Sequence, residues 1–95
     1  MKIDFASQTP IFVQVQQGLE DEILSGVYRE GEQIPSITEL AASYKINPAT
    51  ALKGINLLVD AGIVYNRRGI GIFVCDVALQ KLKEKRQEEF FTQYV

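Results

Sequence analysis

The sequence has no histidine, no tryptophan and a single cysteine, Cys75, among 95 residues. One cysteine cannot close an internal disulfide, and without histidine the usual transition-metal sites have almost nothing to be built from. The commonest general base is missing too, and neither a glycine-rich phosphate loop nor a nucleophile motif occurs. These absences argue against an enzyme and imply no cofactor and no metal. Cys75 itself reads as a small apolar residue at a strand end. Nowhere do about twenty apolar residues occur together, and no apolar run of signal-peptide length follows Met1-Lys2-Ile3-Asp4. The expectation is a cytoplasmic protein without a membrane partner.

What is present fits one small domain, since 46% apolar residues in a chain of this length can bury one modest core. The formal net charge of -2 is unpromising for a nucleic-acid binder, because affinity for a duplex rests largely on neutralising phosphates. The distribution matters more than the total. Residues 1–31 carry Lys2 and Arg29 against Asp4, Glu20, Asp21, Glu22 and Glu30, whereas residues 32–75 carry Lys45, Lys53, Arg67 and Arg68 against Glu32, Glu39 and Asp60. The middle of the chain is therefore its mildly basic part, and the tail from Asp76 is balanced.

Residues 1–8 show no period and read as an arm. Thr9-Pro10 suits an N-cap followed by proline at the first helical position. Phe12, Val15, Leu19 and Ile23 then recur at helical spacing up to Gly26, with Gln14, Gln16, Gln17, Glu20, Asp21 and Glu22 on the wet face. An extended connection with an edge strand near Gln33 and Ile34 leads to Ser36-Ile37-Thr38-Glu39, a capping-box pattern. Ile37, Leu40, Ala41 and Tyr44 follow at i, i+3, i+4 and i+7. Lys45-Ile46-Asn47-Pro48 interrupts that helix, with Asn47 as the cap of a third, which is expected to bury Ala51, Ile55, Leu58 and Val59 and to close at Gly62. Two helices joined across so short a turn form a helix-turn-helix.

Past Gly62 the period changes. Ile63-Val64-Tyr65-Asn66 and Ile70-Gly71-Ile72-Phe73-Val74, separated by Arg67-Arg68-Gly69, read as a β-hairpin. The segment from Asp76 to Val95 is charged and periodic, with Val77, Leu79, Leu82, Phe90, Phe91, Tyr94 and Val95 as its apolar residues. It reads as a tail helix without a partner in the preceding domain. The fold class expected is α+β: three helices plus a β-hairpin wing over residues 1–75, and the start of a helical dimerisation segment over 76–95, with Leu79, Leu82, Phe90 and Phe91 at the contact.

Pro10-Ile11-Phe12, Ile23-Leu24-Ser25-Gly26, Gly31-Glu32-Gln33-Ile34-Pro35-Ser36, Glu39-Leu40-Ala41, Gly62-Ile63 and Arg67-Arg68-Gly69-Ile70-Gly71-Ile72-Phe73-Val74 resemble, in order and spacing, the N-terminal DNA-binding domain of GntR-family regulators. Asn47-Pro48-Ala49-Thr50 with Lys53 is similar to the YtrA-type branch, in which a short helical segment replaces a large effector domain. The resemblance implies a winged helix-turn-helix regulator, a repressor acting on double-stranded DNA as a homodimer at a pseudo-palindromic operator. No effector pocket is legible, and a small-molecule effector stays unassigned.

Physics and the family pattern together indicate the DNA-facing residues. The N-terminal part of the second helix of a helix-turn-helix lies in the major groove, and the outward positions here are Ala49, Thr50, Lys53, Asn56 and Asp60. Thr50 can bond a phosphate or base edge, Lys53 a phosphate or guanine, and Asn47 the backbone. Ser36 is a cap whose helix offers free amides to a phosphate. Arg67, Arg68 and Gly69 form a wing tip aimed at the minor groove. Thr38, Pro48 and Leu52 stand where many family members carry arginine, which implies weaker binding per monomer and more dependence on dimerisation. The competing class is a winged helix used for protein association without DNA, suggested by the acidic first helix.

Overall fold

In a computed structural model the chain is described over residues 1–94, with side chains described over 1–88. The elements in order are α1 (Ile11–Leu24), β1 (Gln33–Ile34), α2 (Ile37–Tyr44), α3 (Pro48–Asp60), β2 (Val64–Arg67), β3 (Gly71–Val74) and α4 (Ala78–Tyr94). The helix starts follow from local chemistry. At α2, Ser36 Oγ accepts from the Glu39 amide at 3.1 Å while Glu39 Oε1 accepts from the Ser36 amide at 3.3 Å. This is the expected capping box. At α3, Asn47 Oδ1 accepts from the Ala49 amide at 2.8 Å, and Pro48 occupies the first helical position, where a missing N–H costs nothing. Between them Lys45 adopts a left-handed conformation, φ 53°, that ends α2.

The first helix begins one residue later than its sequence suggests. Pro10, extended at ψ 145°, is the N-cap and makes no side-chain cap bond. Thr9 offers its carbonyl to Gln14 Nε2 instead, at 2.9 Å. Gln14 also pairs with the backbone of Asp4, accepting from its amide and donating to its carbonyl. These bonds, with Met1 and Ile3 packed against the core, tie the N-terminal arm to α1.

The sheet order is β1-β3-β2, antiparallel throughout, with Val64 opposite Val74, Tyr65 opposite Phe73 and Arg67 opposite Gly71. Strands β2 and β3 each begin one residue later than expected, and Ile70 joins the turn, its amide bonding to the Arg67 carbonyl. The period-2 pleat sends Val64, Ile72, Val74 and Ile34 inward and leaves Gln33, Phe73, Tyr65 and Arg67 on the other face. Three helices around this small sheet, with β2 and β3 as the wing, make a winged helix-turn-helix.

The core joins Val15, Leu19 and Ile23 of α1, Leu40 of α2, and Ala51, Ile55 and Leu58 of α3 to the inward strand residues. Each large apolar side chain fully buried contributes roughly 1.5–3 kcal/mol. Helices α1 and α3 come close because Gly54 has no side chain: a Cβ there would lie 2.8 Å from the Phe12 carbonyl oxygen and 2.9 Å from Val15 Cβ. Val59, expected inside, is instead 37% exposed, since the inward stripe of α3 runs through Ala51, Gly54, Ile55 and Leu58.

The tail differs most from expectation. Ala78 and Leu82 are fully buried and belong to the same core cluster as α1 and α3, and Leu79 is packed against it. The first turns of α4 thus do have a partner inside the domain. Beside them on α1, Glu20, expected on the wet face, is 2% exposed. Its carboxylate bonds to Lys85 Nζ at 2.7 Å, Arg86 approaches to 3.8 Å, and Arg86 also pairs with Asp21 at 2.7 Å. Phe90 and Phe91 lie outside the residues whose side chains are described.

Candidate nucleic-acid interface

The residues singled out in the sequence fall into three groups, each placed by an element boundary. Ser36 and Thr38 occupy the start of α2, half-buried and exposed respectively. Ser36 Oγ already accepts the Glu39 amide, so its hydroxyl hydrogen is what it can offer a phosphate. Asn47, Ala49 and Thr50 form the cap and first turn of α3; Asn47 and Ala49 are exposed and Thr50 is half-buried. That turn carries the partial positive charge of the helix N-terminus, to which an anion is attracted.

Lys53, one turn further on, does not extend freely into solvent. Its ammonium lies 4.1 Å from the centroid of the Phe12 ring at the start of α1, a cation–π contact. The sequence offered a faint signal for this partnership, an aromatic residue at the start of the helix that packs on α3, but helical periodicity accounted for Phe12 as core. The third group sits in the wing. Arg67 ends β2 with its guanidinium 5.5 Å from the Phe73 ring centroid, and Tyr65 stacks on the same ring at 5.8 Å. Arg68 and Gly69 occupy the exposed turn, where Gly69 has φ 77°, a conformation a side chain would resist.

Sequence reasoning thus found the cations and missed the rings beneath them, Phe12 and Phe73. Leu52, noted in the sequence as standing where many family members carry arginine but not counted among the outward positions, is 42% exposed on α3. Cys75 is half-buried after β3, and burial pushes its thiol up, with Lys81 partly opposing. Such a thiol is a poor nucleophile at neutral pH. Among the described residues no helix is long and apolar enough to cross a membrane.

A helix-turn-helix with capped helices, a basic wing tip and a lysine on the second helix is an arrangement suited to a DNA groove. Comparison with known proteins agrees. The family described as bacterial regulatory proteins, gntR family, matches residues 12–74. The chain is 34% identical over 84 residues to the HTH-type transcriptional repressor YtrA of Bacillus subtilis (strain 168), covering 88% of this chain and 65% of that protein. It thus spans a little under two thirds of that relative's length. It is similar to a GntR family transcriptional regulator from Listeria monocytogenes with a TM-score of 0.85 at 25% identity, covering 95% of this chain and 81% of the other. The similarity to S. agalactiae BusR in complex with its busAB-promotor DNA has a TM-score of 0.68 at 28% identity, covering 88% of this chain and 38% of that one. On the matched span, the ordered motifs and the winged fold, this chain belongs to the gntR family of bacterial regulatory proteins.

Proposed function

We propose that the chain is a sequence-specific DNA-binding transcriptional regulator, a cytoplasmic repressor that occludes a promoter by binding a pseudo-palindromic operator as a homodimer. It is not an enzyme. The observation that carries the reading is the pairing of an Asn47-capped α3, with Thr50 and Lys53 on its first two turns, and a wing tipped by Arg67, Arg68 and Gly69. The N-terminal turns of α3 enter the major groove, where Ala49, Thr50 and Lys53 meet base edges and phosphates. Asn47, Ser36 and Thr38 hold the backbone, and the wing reaches the adjacent minor groove.

Residues 1–75 read the DNA, and the helix begun in 76–95 carries the dimer contact through Leu79, Phe90 and Phe91. Leu82 acts from inside, fixing that helix to the reading head. The repressor role is the one named for YtrA of Bacillus subtilis, and binding to promoter DNA is the state named for BusR.

The test is selection of bound duplexes from a random pool with the full chain. The expected result is an enriched motif of two half-sites related by a dyad and centred about one helical turn, or a multiple of it, apart. A pool that stays random after repeated rounds contradicts the reading.

A further inference from the structure

The outward stripe of α3 has an unusual chemistry for a helix placed against base edges. With Ala51, Gly54, Ile55 and Leu58 buried, the opposite side presents Ala49, Leu52, Lys53 and Asn56 at i, i+3, i+4 and i+7, all four exposed. There is no guanidinium on it, and the ammonium of Lys53 leans back onto Phe12 of α1. The apolar groups on the stripe are the Ala49 methyl at its N-terminal end and, midway along, the isobutyl side chain of Leu52, 42% exposed. A lone exposed leucine is ordinary on a protein surface. One centred on the reading stripe between Ala49 and Asn56 must meet whatever the groove presents.

We propose that Leu52, together with Ala49, reads thymine C5-methyl groups in the major groove, making Leu52 a specificity-determining residue; this rests on the DNA-binding function proposed above. The chemistry of the base edges selects the occupant. Thymine alone carries an apolar group on its major-groove edge, whereas guanine shows the N7 and O6 acceptors and cytosine an N4 amino donor. A leucine pressed on either of those strips water from a polar group and returns no hydrogen bond, a penalty that discriminates against them. On thymine the same side chain buries a methyl group, which strengthens binding about fourfold per methyl. The half-site therefore contains at least one thymine required for its methyl rather than for its O4.

The experiment runs the random-pool selection with the full chain, then compares each enriched duplex with a copy in which single thymines are replaced by uracil, which removes the methyl and keeps every hydrogen-bonding group. Wild-type protein is expected to bind at least one uracil copy about fourfold more weakly. At the thymine that Leu52 covers, Leu52→Ala is expected to bind the thymine and uracil copies equally, and Leu52→Met, which keeps an apolar side chain of similar volume, to retain the difference. Thermal unfolding of both variants checks that the exposed position has left the fold intact. A wild-type protein indifferent to uracil at every position, or a Leu52→Ala variant as sensitive as wild type, overturns the methyl reading while leaving DNA binding standing. Failure to enrich any motif overturns the DNA-binding function itself.

Discussion

The Lys53 ammonium rests 4.1 Å from the centroid of the Phe12 ring, so a side chain proposed to contact DNA is held by the first helix in the protein alone. An exposed cation–π contact is worth about 0.5–1 kcal/mol, and a cation held over one ring face still has hydrogens directed elsewhere. Phe12→Leu keeps apolar bulk and removes the ring. It is expected to weaken DNA affinity about two- to fivefold at fixed salt through lost preorganisation. Adding it to Lys53→Ala should weaken binding no further, because the partner is already gone. Titrations of the two single variants and the double variant complete the cycle; additive losses contradict the link.

The two caps make separable predictions. Ser36→Ala removes the acceptor for the Glu39 amide and is expected to cost about 1 kcal/mol, lowering Tm by roughly 4–8 °C. Asn47→Ala should cost a similar amount. Asn47→Asp keeps the cap, since aspartate accepts the Ala49 amide as well as asparagine does, but it places a negative charge where a phosphate is meant to approach. Its Tm should stay within a few degrees of wild type while its DNA affinity falls. Calorimetry and a binding titration on the same sample decide whether Asn47 is a cap alone.

At the tail, Leu82 is fully buried against the winged domain, and Leu82→Ala is expected to cost about 2–5 kcal/mol. The Glu20 contact should respond asymmetrically. Glu20→Gln leaves Lys85, partly exposed, to rehydrate and Arg86 with its Asp21 pair, whereas Lys85→Ala with Arg86→Ala strands a carboxylate that is 2% exposed. The double variant should therefore lose more stability in urea than Glu20→Gln, by about 1–3 kcal/mol. Removing residues 89–95 spares every core contact named above. The proposed dimer contact predicts that the full chain sediments as a dimer and the shortened chain as a monomer that melts near wild type. A dimer that survives this truncation removes Phe90 and Phe91 from the contact.

The elements fixed by near neighbours were legible in the sequence. Ser36 with Glu39, Asn47 with Pro48, and Gly69 in the hairpin each declare a local geometry through residues at most three apart, and the structure has all three. Boundaries slipped by one residue at Pro10 and in the wing, where cap and first helical position, or turn and strand, offer similar chemistry. The larger departures involve partners distant in sequence. Glu20 reads as surface because its companions Lys85 and Arg86 are 65 and 66 positions away, and the same separation hid the burial of Leu82. At the candidate interface the charges were readable as charges. The rings under Lys53 and Arg67 were not, since Phe12 and Phe73 each fit a core or strand pattern equally well.

The central claim, that α3 and the wing neutralise phosphates, is tested most directly by the salt dependence of binding to a selected duplex. Between roughly 50 and 200 mM monovalent salt, log affinity should fall linearly with log salt concentration at about 0.9 per phosphate contacted. Lys53→Ala and Arg67→Ala should each shallow that slope by about one, and the double variant by about two. A wild-type slope near zero, or a steep slope that neither substitution changes, contradicts the account.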